Sequence, residues 1–304
     1  MTTIAYARSG AGAPLVLLHG IGSSRHAWAP VIPALTGRFD VLAVDLPGFG
    51  DSGPIPPPAE PGPAALAASV AGLLDDLGIT APHVAGNSLG GWVALELAAI
   101  RPVASLALLS PAGLWRGSMP LYDRASLQAS RWFAQHARGL LARLVAFRLG
   151  RALVLGQTHG RPFRIPPGYA RTAIRALGTS PGFAATLKAT TRGYQSGPPI
   201  DAPVTVAFGS RDLLLRRRSR HLGELPAGTR LGSLPGCGHV PMADSPAAVA
   251  ALIAAASARA VRQGTKTTRR PLSARGQVSS TAASGTASTS RVISPAATCW
   301  SRPA

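Results

Sequence analysis

Only two cysteines, Cys237 and Cys299, occur in 304 residues, and they form no C-x-x-C pair, so neither a disulfide framework nor a redox dithiol is expected. No uncharged apolar run approaches the ~20 residues needed to span a bilayer, which argues against a transmembrane segment. The opening Met1-Thr2-Thr3-Ile4-Ala5-Tyr6 lacks a basic stretch followed by an apolar one, so no signal peptide is expected. Together these absences lead to the expectation of a cytoplasmic protein. Acidic residues are scarce as well, 12 Asp and Glu against 31 Lys and Arg, which leaves a net charge of +19. Aromatic residues make up only 5% of the chain.

A charge of +19 invites a nucleic-acid reading, and its location argues against one. Residues 113–199 carry thirteen Lys and Arg against the single acid Asp123, and residues 262–304 carry seven and no acid. The remainder holds eleven of each sign and is neutral. Residues 262–304 are rich in Ser, Thr, Ala and Arg and lack an apolar period, so they are expected to form a disordered tail. Such a tail binds nucleic acid at most non-specifically, and no aromatic interleaving suggests more.

Apolar runs of strand length alternate with helix-length segments along the rest of the chain. Strands are expected at residues 4–8, 15–19, 41–44, 82–85, 104–109, 203–208 and about 229–234. Ser23 or Ser24 is placed to cap a helix carrying Trp28, Val31, Ile32 and Leu35 and ending at Gly37. Helices are also expected at Ala64 to Leu77, after Leu89, and from Pro246 to Ala260. Strands alternating with helices predict an α/β fold: a mostly parallel, doubly wound sheet with right-handed crossovers. Residues 113–199 interrupt the alternation and read as helices at about 121–150, 167–177 and 181–193. Arg124, Arg131 and Arg138 recur every seven residues and so share one helical face, expected to be solvated, with contact to an anionic substrate or an anionic membrane surface as the alternatives.

The stretch most informative about chemistry is Gly86-Asn87-Ser88-Leu89-Gly90-Gly91, set between a strand and a helix. In a G-x-S-x-G elbow the serine occupies a strained turn and its hydroxyl projects freely. Gly86 and Gly90 avoid collisions where strand and helix meet. The amide of Leu89, at the helix N-terminus, points where an oxyanion would form. A serine hydroxyl needs a base, and an imidazole serves if a carboxylate orients it. Asp212 just beyond the strand 203–208, and His239 in the loop Gly236-Cys237-Gly238-His239, are the carboxylate and imidazole placed at strand ends, where such groups gather in an open α/β sheet.

Five stretches in order, Leu17-Leu18-His19-Gly20-Ile21-Gly22, Asp45-Leu46-Pro47-Gly48-Phe49-Gly50-Asp51-Ser52, the elbow, Gly209-Ser210-Arg211-Asp212 and Gly236-Cys237-Gly238-His239-Val240, resemble the α/β-hydrolase superfamily. The resemblance covers residues 2 to about 260, apart from the interruption. It implies a core of 1–112 and 200–261, with 113–199 as a helical cap over the site. It also implies a sheet without the family's first edge strand, a loop-shaping role for His19, and the Ile21 amide as second oxyanion donor beside Leu89. Ser88, rather than Asp, at the elbow excludes the branches with an aspartate nucleophile.

Asp45 is expected to serve turn architecture and Cys237 packing. His26, His83, His136, His159 and His221 sit in no matching context and are expected to be structural or exposed. No histidine pair has ligand spacing with a nearby carboxylate, so neither a metal nor a cofactor is expected. The resulting expectation is a serine hydrolase acting through an acyl-enzyme on a small, largely apolar carboxylic ester. Carbon–carbon hydrolases of ring-fission products, cofactor-free perhydrolases and a hydrolase-like binding protein are the rivals. The partner is a small-molecule substrate, and the oligomeric state stays open.

Overall fold

The computed structural model describes residues 2–267, so the expected disorder of the tail beyond them lies outside the described residues. Seven strands form one sheet: β1 (Tyr6–Ser9), β2 (Ala13–Leu18), β3 (Phe39–Val44), β4 (His83–Asn87), β5 (Ser105–Leu109), β6 (Val204–Gly209) and β7 (Arg230–Leu234). Their order is β1-β3-β2-β4-β5-β6-β7, with β1 antiparallel to β3 and every other pair parallel. Eight helices of seven residues or more accompany them: α1 (Pro63–Asp76), α2 (Leu89–Ile100), α3 (Leu121–His136), α4 (Arg138–Leu144), α5 (Arg148–Leu155), α6 (Pro167–Thr179), α7 (Phe183–Ala189) and α8 (Pro246–Thr267).

The two-residue period of a strand explains how the sheet is covered on both faces. Leu15 and Leu17 of β2 pack with Trp28, Leu35, Val249 and Ile253, while Val16 and Leu18 pack with Leu66, Val70, Leu74 and Val93. The central strands therefore read as unbroken apolar runs, and fully burying one such leucine contributes about 1.5–3 kcal/mol.

Three helix expectations need correction. The helix after Ser24 is instead a 3-10 turn, Arg25–Trp28, followed by a single turn, Ile32–Leu35. Pro30 and Pro33 lack the N–H groups that a continuous helix requires. Ser24 occupies the cap position and makes no side-chain cap hydrogen bond. The expected helix 121–150 is broken twice, and its last part becomes α5, which runs on to Leu155. The first break is at Ala137 (φ −116°, ψ 22°), just before Gly139, a poor helix former. At the second, the buried Arg151 guanidinium donates to the carbonyls of Val145 (2.9 Å) and Ala146 (3.0 Å), which frees them from continuing α4. Finally, α8 runs to Thr267, past the expected start of the tail.

The break at Ala137 also dissolves the arginine stripe. Arg138 opens a new helix, and Arg131 is half-buried. Its guanidinium donates to the carbonyls of Leu177 and Ser180 and lies 5.4 Å from the Phe183 ring centre. Only Arg124 and Arg138 keep the expected exposure. Helices α3 to α6 and their connections hold a small apolar core of their own, built from Ala134, Val145, Leu155, Ile165, Ala170 and Ile174, whereas Phe183 and Leu187 of α7 join the core on the sheet.

Candidate active site

Ser88 sits between β4 and α2 with φ +53°, a conformation that costs an ordinary side chain about 1–3 kcal/mol. The turn is held by its neighbours. The Ser88 amide donates to Leu109 O (3.0 Å), and the Ser88 carbonyl accepts from Gly91 (2.9 Å) and Ala112 (3.0 Å). Gly86 and Gly90 permit the crossing, since a Cβ on Gly86 would strike the Gly90 carbonyl and one on Gly90 that of Leu18. The Gly20–Ile21 loop lies directly opposite, where a Cβ on Gly20 would stand 3.2 Å from that of Ser88.

His239 follows β7 and is buried. Its Nδ1–H donates to Asp212 Oδ2 at 3.0 Å, and its Nε2 is buried without a hydrogen-bond partner. Asp212 Oδ1 accepts from the amides of Leu214 (3.0 Å) and Leu215 (2.9 Å), and Arg220 lies 3.6 Å from Oδ2. Burial opposes ionisation of Asp212. The charge of His239, its hydrogen bond, the Leu215 amide and Arg220 outweigh burial and hold the carboxyl below the usual range. An ionised Asp212 only accepts, so the neutral form of the imidazole carries its proton on Nδ1 and offers the Nε2 lone pair.

Ser88 and His239 share the walls of two cavities. One, about 590 Å³, reaches from Ile21 and Ser88 up to Phe133, Leu153 and Leu177 of the helices inserted between β5 and β6. None of its lining residues is Lys, Arg, Asp or Glu. The other, about 30 Å³, brings Ile21 and Leu89 together with Ser88, His239 and Asp123. All five site residues expected from the sequence, Ser88, Asp212, His239, Ile21 and Leu89, therefore meet at one edge of the sheet.

The loops around them are tied by groups with clear tasks. His19 Nε2 accepts from the Leu46 amide (3.0 Å), so its Nδ1–H donates to Gly20 O (2.8 Å). Burial, more than any neighbouring charge, lowers the pKa of His19 and keeps it neutral for both bonds. Asp45 accepts from the amides of Arg25 (2.6 Å) and Asp51 (3.0 Å) and pairs with the Arg25 guanidinium, which is turn architecture as expected. Cys237 is buried in the core face beside Leu234 and Met242, again as expected.

Other groups escaped the sequence reading. Asp123, in the first turn of α3, is buried with Oδ2 unpartnered, and burial pushes its pKa up to about 6. Asp244 accepts from the amides of Gly160 (2.7 Å), Arg161 (2.8 Å) and Gly238 (2.7 Å), which anchors the histidine loop to the segment between α5 and α6. Of the five remaining histidines, His159 and His26 line the large cavity, a correction to their lack of context in sequence. His159 is buried with Nε2 unpartnered, and burial lowers its pKa to about 4. His83, His136 and His221 line neither cavity.

A family model described as the alpha/beta hydrolase family matches residues 15–252. The chain belongs to that family. As an α/β hydrolase it is similar to the dihydrolipoyllysine-residue acetyltransferase component of an acetoin cleaving system from Cupriavidus necator, at 43% identity over 36% of this chain and 30% of that protein. It is 40% identical to the pimeloyl-[acyl-carrier protein] methyl ester esterase of Aeromonas hydrophila over 36% of this chain and 41% of that protein. The α/β hydrolase thus spans less than half the length of either curated relative. Among solved structures it is similar to a membrane phospholipase A described as a bacterial virulence factor: TM-score 0.66, 27% identity, 86% of this chain and 84% of that one. Among the described residues no helix is long and apolar enough to cross a membrane.

Proposed function

We propose that the chain is a serine hydrolase that cleaves a small, uncharged, largely apolar carboxylic ester through an acyl-enzyme, with residues 113–199 serving as its cap. Ser88 Oγ attacks the ester carbonyl as its proton passes to Nε2 of His239. Asp212 holds Nδ1–H and stabilises the imidazolium. The amides of Ile21 and Leu89 receive the developing oxyanion, and losing one such donor typically costs about 10²–10³ in rate. His239 returns its proton to the leaving alcohol, and water then releases the acid by the same route.

The observation that supports this reading most is the large cavity, which offers an apolar, uncharged wall and ends on Ser88 and a His239 with a free Nε2. A carboxylate-bearing ring-fission product would find no Lys or Arg in that wall. The esterase and phospholipase among the similar proteins are named for acyl-ester chemistry of the same kind. The test is turnover of p-nitrophenyl butyrate together with intact-mass detection of a butyryl adduct on Ser88. A chain that turns over no short ester and acquires no adduct would sink the reading.

A further inference from the structure

Helices α3, α4 and α5 leave an unusual set of side chains in water. Leu149 is 86% exposed, Leu153 80% and Phe147 70%, with Phe133 and Leu140 also more than half exposed. Isolated exposed leucines are ordinary, but large apolar side chains gathered on consecutive packed helices mark a surface that meets something. Leu149 and Leu153 stand four residues apart on α5, so they share one face. Arg138, Arg143 and Arg148, all exposed, alternate with these apolar groups along the sequence. No acid interrupts residues 124–199. Phe133 and Leu153 are at once exposed and part of the wall of the large cavity, so the cavity opens within this patch.

We propose that this face of the cap docks on an anionic phospholipid bilayer. Phe147, Leu149 and Leu153 would enter the boundary between headgroups and acyl chains. Arg138, Arg143 and Arg148 would reach lipid phosphates with their guanidinium groups while their stems lie along the apolar surface. Charge selects this occupant over the others. A second copy meeting it through the same face would set its own exposed Arg138, Arg143 and Arg148 against these, and residues 262–304 carry seven Lys and Arg and no acid, so both repel it. Nucleic acid would satisfy the arginines and leave the exposed leucines in water. Docking would set the mouth of the cavity against lipid, and it stands independently of the Ser88 chemistry because binding is read without turnover.

The experiment is co-sedimentation of the full chain with vesicles of phosphatidylcholine alone, and of phosphatidylcholine with an equal part of phosphatidylglycerol. The parent, a Phe147→Ser/Leu149→Ser variant and an Arg143→Gln/Arg148→Gln variant are compared, with circular dichroism melts showing that each is folded. None of the four positions lines the cavity. Each basic residue at an anionic surface contributes roughly a fivefold factor in partitioning. The parent should sediment with the anionic vesicles and stay in solution with the neutral ones, and each variant should lose at least tenfold in binding. Folded variants that bind as the parent does would place the binding elsewhere and overturn the proposal. So would a parent that ignores anionic vesicles, or one that forms a dimer which Phe147→Ser/Leu149→Ser breaks.

Discussion

The side-chain amide of Asn87 donates to the main-chain carbonyl of His239 at 2.9 Å and, with its second N–H, to that of Leu109 at 3.0 Å. The residue beside the serine thus fixes the loop that carries the imidazole, across 152 positions of sequence. Asn87→Ala would take this partner from the His239 carbonyl, at a cost of about 1–3 kcal/mol, while Leu109 O keeps the Ser88 amide. The expected outcome is a melting temperature lower by several degrees and a kcat reduced at least tenfold, with a smaller change in KM. A stability loss with unchanged kcat would leave Asn87 a structural residue only.

Asp123 makes a prediction about pH. Its folded pKa of about 6 lies above the ordinary carboxyl value, chiefly through burial. The folded protein therefore holds this proton more tightly than the unfolded chain, and the associated stability is lost as pH rises from about 4 to about 6. Asp123→Asn imitates the protonated form. Its melting temperature should match the parent at about pH 4 and exceed it at about pH 7, where the buried carboxyl of the parent is ionised. Equal melting temperatures at both pH values would show that the carboxyl ionises without cost.

The contrast between Ser88 and Asp123 shows what could be read from sequence. Ser88, Leu89, Asp212 and His239 were legible because the elbow constrains glycines at fixed spacing and the strand ends place the other groups. The sheet was legible because strands buried on both faces are uninterrupted apolar runs. Asp123 and Asp244 were not, because the meaning of each depends on groups far along the chain: Asp123 on His239, Asp244 on the amide of Gly160. The apolar spacing of Trp28, Val31 and Leu35 matches a helix, but Pro30 and Pro33 within it leave only two short turns after Ser24. The arginine stripe failed because a seven-residue repeat means one face only while the helix lasts, and α3 ends at His136.

The cavity predicts its own selectivity. Arg131 is engaged with the carbonyls of Leu177 and Ser180, and no Lys or Arg lines the wall. A substrate carboxylate would be buried without a partner, which costs several kcal/mol. p-Nitrophenyl butyrate should be hydrolysed more than tenfold better than an ester whose acyl chain ends in a carboxylate, or than a dienoate ring-fission product. Its rate should also be indifferent to salt, since exposed charges beyond about 10 Å are screened at 0.1 M salt. The opposite preference, lost in Arg131→Gln, would favour the carbon–carbon hydrolase.

The proposed acyl-enzyme forms on Ser88, and kcat/KM of Ser88→Ala for p-nitrophenyl butyrate tests that most directly. The substitution removes one hydroxyl. The variant should therefore melt within a few degrees of the parent while kcat/KM falls by at least about 10⁴. A folded variant that keeps activity within tenfold of the parent would contradict the assignment of Ser88, and with it the roles given to His239 and Asp212.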